Sequence, residues 1–261
     1  MNELIMLLYH DVYRQNPNES GFKGPAADRY KLSLTAFHEQ LESVRAVRAD
    51  APVLVTDLPA RMDPNPRFAI SVDDGGLSYY DIVAPALDRF GWRGHCLVTT
   101  GRIGKPGFLH KHHIRELHEA GHLIGSHTVT HPARFSSCSW NKQVTEWVRS
   151  KETLEDILGE PVNVGSVPGG YYSPQVARAA AAAGLDFLLT SEPETVPQQV
   201  DNCRIFGRYT IRRDSPETLS GRLVSTNSLA RRQQWLAWNG KKLLKLTLGP
   251  GYQRLSALVA R

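Results

Sequence analysis

Cysteine is scarce in this chain. Cys96, Cys138 and Cys203 are scattered through 261 residues, odd in number and without a C-x-x-C spacing. That argues against a disulfide framework and a zinc–cysteine site, and makes a reducing compartment the simpler expectation. Long apolar runs are missing as well. The opening segment, Met1 to His10, has no basic stretch before its apolar residues and no small-residue cleavage site. Its run is too short for a membrane span or a signal sequence, so it reads as the first strand. No internal repeat or low-complexity run is present. Histidine disappears after His131, which leaves the C-terminal half without an imidazole acid or base.

What remains is enough for a full core: one large domain, residues 1–200, with a smaller segment, 201–261, attached to it. Apolar runs alternate with helical periodicity. Phe68 to Val72 reads as a buried strand, and Tyr79 to Phe90 carries a helical apolar face at Ile82, Val83, Ala86 and Leu87. Strands near 95–99, 162–167 and 186–190 are separated by helices near 112–120, 141–158 and 173–183, several stopped by glycine. Repeated units of this length favour a parallel sheet whose functional loops sit at the C-terminal ends of the strands.

Two motifs fall at such ends. Ser71-Val72-Asp73-Asp74-Gly75 closes one strand with adjacent carboxylates. Ser126-His127-Thr128-Val129-Thr130-His131-Pro132 follows the apolar Leu123-Ile124-Gly125 and supplies two imidazoles four residues apart. Each motif alone is weak, since Asp-Asp-Gly is an ordinary turn. Together they offer one Asp and two His, a common ligand set for a catalytic divalent metal with coordination positions left open. The neighbouring Asp is then available as a base, which points to metal-assisted hydrolysis.

With Ser166-Val167-Pro168-Gly169-Gly170 added in order, the chain resembles the polysaccharide deacetylase family (carbohydrate esterase family 4) over roughly residues 5–195. The resemblance implies an α/β fold, a distorted (β/α) barrel, and metal-dependent removal of N-acetyl groups from sugars. By position, Asp73 matches the catalytic base, and Asp74, His127 and His131 match the metal ligands. Pro168, Gly169 and Gly170 match the loop whose backbone helps to hold the oxyanion, with an N–H near Tyr171 as a further donor. The implied ion is divalent, Zn2+ first, with Co2+, Mn2+ or Ni2+ as substitutes. Such an ion lowers the pKa of bound water towards neutrality, while the amine leaving group still needs a general acid.

Here the chain departs from the family, whose acid is a histidine near the domain's C-terminus. His10, at the end of the first strand, is the candidate replacement; the alternative is a hydrogen bond from His10 to a loop. Ser166 stands where an arginine usually orients the catalytic Asp, and Gly169 where an aromatic is usual. Tyr171 or Tyr172 could supply that ring. Asp11 either joins the site or caps a loop. His110, His112, His113, His118 and His122 read as a solvated surface, and Trp140 and Trp147, seven apart, as one core-facing stripe.

From Asp201 onward there are 12 Lys+Arg against 3 Asp+Glu, a net +9 in a chain of net +5, so the first 200 residues carry −4. Bases interleaved with Trp235, Trp238 and leucines suit either a helix packed on the barrel or one lying on an anionic membrane. Nucleic acid is not expected, because no binding fold accompanies the charge. The leading expectation is a cytoplasmic deacetylase of an N-acetylated oligosaccharide, polysaccharide or lipid-linked glycan, peripheral at the inner membrane face and tied to polysaccharide biosynthesis. The alternatives are hydrolysis of another non-peptide C–N bond on the same metal core, or an inactive glycan-binding domain.

Overall fold

The computed structural model of the protein describes residues 3–58, 66–226 and 228–248, with the backbone alone for the last eight. The first strand, β1 (Leu4–Tyr9), is flanked by β4 (Arg67–Val72), and the sheet continues through β5 (His95–Val98), β6 (Leu123–Ser126), β7 (Val164–Ser166) and β8 (Phe187–Leu189). All of these pair in parallel. Each crossover is helical where space outside the sheet requires it: α3 (Ala84–Asp88) after a π-helical turn, α4 (Lys111–Glu119), α5 (Trp140–Leu158) and α6 (Pro174–Ala182). A short pair, β2 (Val12–Tyr13) and β3 (Leu32–Ser33), brackets an insertion carrying α1 (Pro25–Asp28), and α2 (Leu34–Arg45) follows it.

Closure comes from one strand with a break in it. After the antiparallel edge strand β9 (Gln198–Val200), β10 (Cys203–Phe206) pairs in parallel with β8. Only Gly207 and Arg208 intervene before β11 (Tyr209–Thr210), which pairs in parallel with β1 at the opposite end of the sheet. The chain keeps its direction, so one bent strand joins both sides of the sheet and makes a distorted (β/α) barrel. Gly207 is required at the bend, where a Cβ would lie 2.4 Å from the Glu192 carbonyl oxygen. Residues 203–210, expected in an appendage beginning at 201, therefore supply two strands of the barrel. Beyond them, α7 (Leu219–Val224) packs on α2, and α8 (Leu229–Leu248) runs from α7 across the mouth of the barrel. Residues 249–261 of the basic segment lie outside the described residues. No described helix is long and apolar enough to cross a membrane.

Strands buried on both faces explain the unbroken apolar runs. In β1, Ile5, Leu7 and Tyr9 pack outward against Phe37, Leu41 and Val44 of α2. Leu4 and Met6 point inward with Ala69, Leu97, Val164, Leu189 and Phe206. This inner layer fills the barrel and forms the floor on which the site rests. Trp147 of α5 is fully buried, but Trp140, at the first turn of that helix, is 43% exposed, so the expected stripe holds at one tryptophan only. His122 corrects the expectation of a solvated histidine surface. It is buried, and its Nδ1 accepts from Gly94 N–H (3.3 Å) and contacts the Tyr79 hydroxyl (3.0 Å). All three cysteines are free.

Candidate active site and metal centre

The period-two alternation of the strands delivers the polar side chains. Continuing the inward rows two or four residues past the core layer reaches His10 beyond β1, Asp73 beyond β4, His127 beyond β6, Ser166 in β7 and Arg208 beyond Phe206. Five distant segments thus converge at one end of the barrel, where strand C-termini collect functional groups.

Asp74, His127 and His131 each present one ligand atom, all within 4.8 Å of one another. Asp74 Oδ1 lies 3.5 Å from His127 Nε2 and 3.6 Å from His131 Nε2. An ion held tetrahedrally at about 2.0–2.1 Å from each donor would set them about 3.3 Å apart, close to this spacing. His127 Nδ1 meets the Ser166 hydroxyl (2.6 Å) and carbonyl (3.0 Å). The Ser166 hydroxyl donates to Asp73 Oδ1 at 3.1 Å, so Nδ1 carries the hydrogen and Nε2 turns a lone pair towards Asp74. A lone pair facing a carboxylate oxygen at 3.5 Å calls for a cation between them, a proton on Nε2 or a metal. Burial lowers the His127 pKa, but the Asp73 and Asp74 charges outweigh it and hold the group above its usual value. His131 is pushed down to about 4 by burial and by His127, leaving it neutral and able to ligate.

The ligand loops are held in costly conformations. Asp74, Thr128 and His131 all have positive φ (78°, 64° and 53°) without being glycine, each costing on the order of 1–3 kcal/mol unless surroundings enforce it. The surroundings do. Buried Glu146 of α5 accepts from Val129 N–H (2.9 Å), Thr130 N–H (2.8 Å) and the Thr130 hydroxyl (2.7 Å). Ser126 Oγ accepts from Thr128 N–H, and Thr128 Oγ1 from His131 N–H. Gly75 completes the Asp-Asp turn at φ 73°, where an added Cβ would come within 3.1 Å of Val98 Cα.

Asp73 is gripped by Arg208 through two parallel bonds, Nη1 to Oδ1 at 2.7 Å and Nη2 to Oδ2 at 2.8 Å. Arg208 is itself wholly buried, with Nε donating to the Thr190 carbonyl at 2.9 Å. Burial opposes ionisation of Asp73, but the charges of Arg208 and His127 prevail and hold its carboxyl far below the usual range. Arg208 thus does the orienting work that the sequence left without an owner at Ser166. Sequence reasoning missed it because a two-residue link between short strands carries no periodic signal. Glu146 was missed for a similar reason, as one more acid on an amphipathic helix.

A cavity of about 430 Å³ opens above these groups, with His10, Asp73, Asp74 and His131 on its floor. His10 lies against the ring of Tyr30 (centroids 4.8 Å apart), and its Nδ1 has no hydrogen-bond partner. Burial lowers the His10 pKa, with the charges of Asp74 and Asp73 only partly offsetting it. Gly169 and Gly170 form part of the wall. Pro168 is buried beneath them, while Tyr171 is exposed, its N–H directed at the Pro168 carbonyl at 3.5 Å. The aromatic surface of the cavity comes from elsewhere: Phe22 and Tyr30 of the insertion, and Trp238 of α8. Trp238 Cη2 lies 3.4 Å from where a Cβ on Gly170 would sit. Asp11 stays outside the cavity. It accepts from the Ser20 (2.6 Å) and Ser78 (2.9 Å) hydroxyls and ties the insertion to the Asp-Asp loop.

Comparison with known proteins follows the same lines. The sequence family described as polysaccharide deacetylase matches residues 60–188. YxkH of Bacillus subtilis (strain 168), which carries a polysaccharide deacetylase name, is 27% identical over 124 residues, 48% of this chain and 44% of that protein. The chain therefore matches less than half the length of that relative. The Streptococcus pyogenes deacetylase PplD, solved in complex with acetate, superposes with a TM-score of 0.69 at 20% identity, covering 86% of this chain and 98% of that one. IcaB from Ammonifex degensii gives a TM-score of 0.69 at 21% identity with the same coverage. The two structural likenesses establish the fold, and over residues 60–188, which span both ligand motifs, the chain matches the polysaccharide deacetylase family.

Proposed function

We propose that the protein removes N-acetyl groups from a sugar residue of an oligosaccharide, polysaccharide or lipid-linked glycan, with Asp74, His127 and His131 holding a divalent cation. The observation that carries this reading is the ligand triad, with Asp74 and His131 at the floor of a cavity, beside a carboxylate already ionised by its own arginine. Two nitrogens and one carboxylate oxygen suit Zn2+, with Co2+, Mn2+ or Ni2+ able to replace it. When bound, the ion supplies a Lewis acid for the acetamide oxygen and lowers the pKa of a coordinated water.

The chain's own residues do the rest. Asp73 keeps a fixed orientation because Arg208 and Ser166 hold both its oxygens, and it takes the proton of the attacking water. Arg208 keeps that carboxylate charged and aimed. Gly169 and Gly170 leave backbone rather than side chain against the reacting carbonyl, where an N–H donor is worth about 3 kcal/mol to the developing oxyanion. His10, across the cavity, hands a proton to the departing amine, in the role of general acid. Its imidazole, poised on Tyr30 without a partner at Nδ1, is free to do so. Phe22, Tyr30 and Trp238 supply apolar faces for a sugar ring.

His10 lines the same cavity as Asp73, Asp74 and His131, which speaks against an inactive glycan-binding domain. An adjoining hollow of about 280 Å³ shares Ser191, Thr210, Arg212 and Trp238 with the cavity. That extension suits a glycan longer than one sugar better than a small cyclic amide. For the setting, we favour the cytoplasmic side of an anionic membrane: α8 leaves Leu229, Trp235 and Leu236 exposed in a segment of net charge +9. The test of the reaction is acetate release from N-acetylated glycans by protein stripped with a strong chelator and then reloaded. Loss and recovery are expected; undiminished turnover in metal-free protein ends the proposal.

A further inference from the structure

Lys23 and Arg212 stand on the wall of the catalytic cavity, and both are exposed. Among the described residues neither forms a salt bridge, in contrast to Arg48, Arg93 and Arg208, each paired with an aspartate. The guanidinium of Arg212 is steadied by lying over the Tyr30 ring, 5.8 Å from its centroid, and Tyr30 in turn packs on His10 at 4.8 Å. The order His10, Tyr30, Arg212 therefore sets a fixed cation beside the reacting position, separated from it by one aromatic ring.

The formal charges add in one direction. Among the described residues, the acidic groups lining the cavity are Asp73 and Asp74. Asp73 is cancelled by Arg208, and Asp74 is outweighed by a divalent ion when one is held. With Lys23 and Arg212 added, the lining of the loaded cavity carries about three positive charges within a small, partly dry space, before counting any proton His10 takes up to act as acid. Two further carboxylates lie nearby among the described residues: Asp214 lines the adjoining hollow, and buried Asp11, outside the cavity, lies close enough to Asp74 for the two charges to interact. Subtracting Asp11 still leaves the catalytic side net positive.

Building on the proposed deacetylation, we infer that the substrate is an acidic glycan, in which Arg212 and Lys23 bind an anionic oxyacid group attached to, or next to, the N-acetylated sugar. A planar guanidinium pairs two of its N–H groups with the two oxygens of a carboxylate or phosphate, and Lys23 adds a mobile second charge. Trp238, on the shared wall, stacks on the ring that carries the group. The residues set which glycan is accepted; they leave the bond-breaking chemistry to the triad, Asp73 and His10.

The experiment compares three probes: a neutral N-acetylhexosamine oligomer, an N-acetylhexosamine–uronate oligomer of equal length, and N-acetylhexosamine 1-phosphate. Binding is read by calorimetry with the zinc-loaded Asp73→Asn protein, which keeps the cavity and stops turnover, at low and high salt. At least one anionic probe should bind about tenfold more tightly than the neutral oligomer, as expected for a charge-assisted pair, and the advantage should shrink with salt. Preference for uronate assigns the group as carboxylate, and preference for the 1-phosphate assigns it as phosphate. The preference should collapse in Arg212→Gln combined with Lys23→Gln and return in part with Arg212→Lys. Equal binding of all three probes overturns the inference, as does a preference that survives both substitutions. Parallel assays of acetate release separate the two readings: hydrolysis without charge preference refutes only the acidic substrate, and charge-selective binding without hydrolysis refutes only the deacetylation.

Discussion

Arg208 and Asp73 lie 135 residues apart and form a buried, two-pronged ion pair at the seam where the last strand closes the barrel. The pair links the closure of the fold to the readiness of the site. Arg208→Met removes one partner and leaves a carboxylate buried and unpaired, which should cost about 3–5 kcal/mol in chemical denaturation. The sign follows from the depressed pKa of Asp73: its stabilising contribution is present above the ordinary carboxylate pKa and lost as pH falls below it. In the variant the carboxyl titrates at higher pH, so the acid limb of the rate profile should move upward and kcat should fall by about 100-fold or more. An unmoved acid limb would show that Arg208 does not govern Asp73.

Glu146 makes a second prediction, because it touches no ligand directly yet holds the backbone between His127 and His131. Glu146→Ala strands two partly buried N–H groups in a segment with positive φ at Thr128 and His131. Zinc affinity should drop by roughly 10- to 100-fold, and stability by about 2–3 kcal/mol. Competition with a chromophoric chelator measures the first. Unchanged affinity would mean that the loop keeps its shape without this support.

The metal reading separates the carboxylates by role. Asp73→Asn should retain bound zinc and lose turnover, whereas His131→Ala should lose both. His10→Gln should retain zinc and lose about 100- to 10,000-fold in kcat. Metal content by emission spectrometry and acetate release on the same samples decide the matter. A zinc-free Asp73→Asn would reassign Asp73 from base to ligand.

Much of this arrangement was legible in the sequence, and the reason is periodicity. Asp73, Asp74, His127 and His131 closed apolar strands, so both their burial and their position at one end of the barrel followed from strand alternation. The strands and helices from Phe68 to Leu189 were legible for the same reason. Arg208, Glu146 and Trp238 were not, because each acts through a contact that no local pattern encodes. The aromatic expected at Tyr171 or Tyr172 has its counterpart in Phe22 and Tyr30, from an insertion that carries no strand or helix periodicity, and in Trp238, from the basic tail. His122 misled because its neighbours His110 and His112 are exposed, while Tyr79 and Gly94 draw it inward.

That buried histidine yields a pH prediction independent of the site. Burial first, and the nearby Arg93 charge second, push the His122 pKa down to about 4; burial likewise brings His95 to about 4. Both are neutral in the folded protein, while the unfolded chain takes up their protons near pH 6.5. Stability should therefore fall as pH drops from about 6.5 to 4, each histidine adding a slope of up to about 1.4 kcal/mol per pH unit. Urea unfolding of His122→Gln across that range should show a shallower decline than the parent. An identical slope would place the proton uptake elsewhere.

The last prediction concerns the two faces of α8. Leu229 and Leu236 are seven residues apart and share a face, at 68% and 63% exposure, whereas Trp238, nine positions from Leu229, lies about 180° around the helix and lines the cavity. If the helix rests on an anionic membrane, the two faces should separate by mutation. Leu229→Ser with Leu236→Ser should weaken binding to anionic vesicles at least several-fold and spare hydrolysis of a soluble glycan. Trp238→Ala should raise KM for that glycan and leave vesicle binding intact. Sedimentation with vesicles of increasing anionic content measures the first effect, steady-state kinetics the second. Vesicle binding that ignores the double substitution would leave α8 as a wall of the cavity and nothing more, because its outer face is then an ordinary solvated surface of a packed helix.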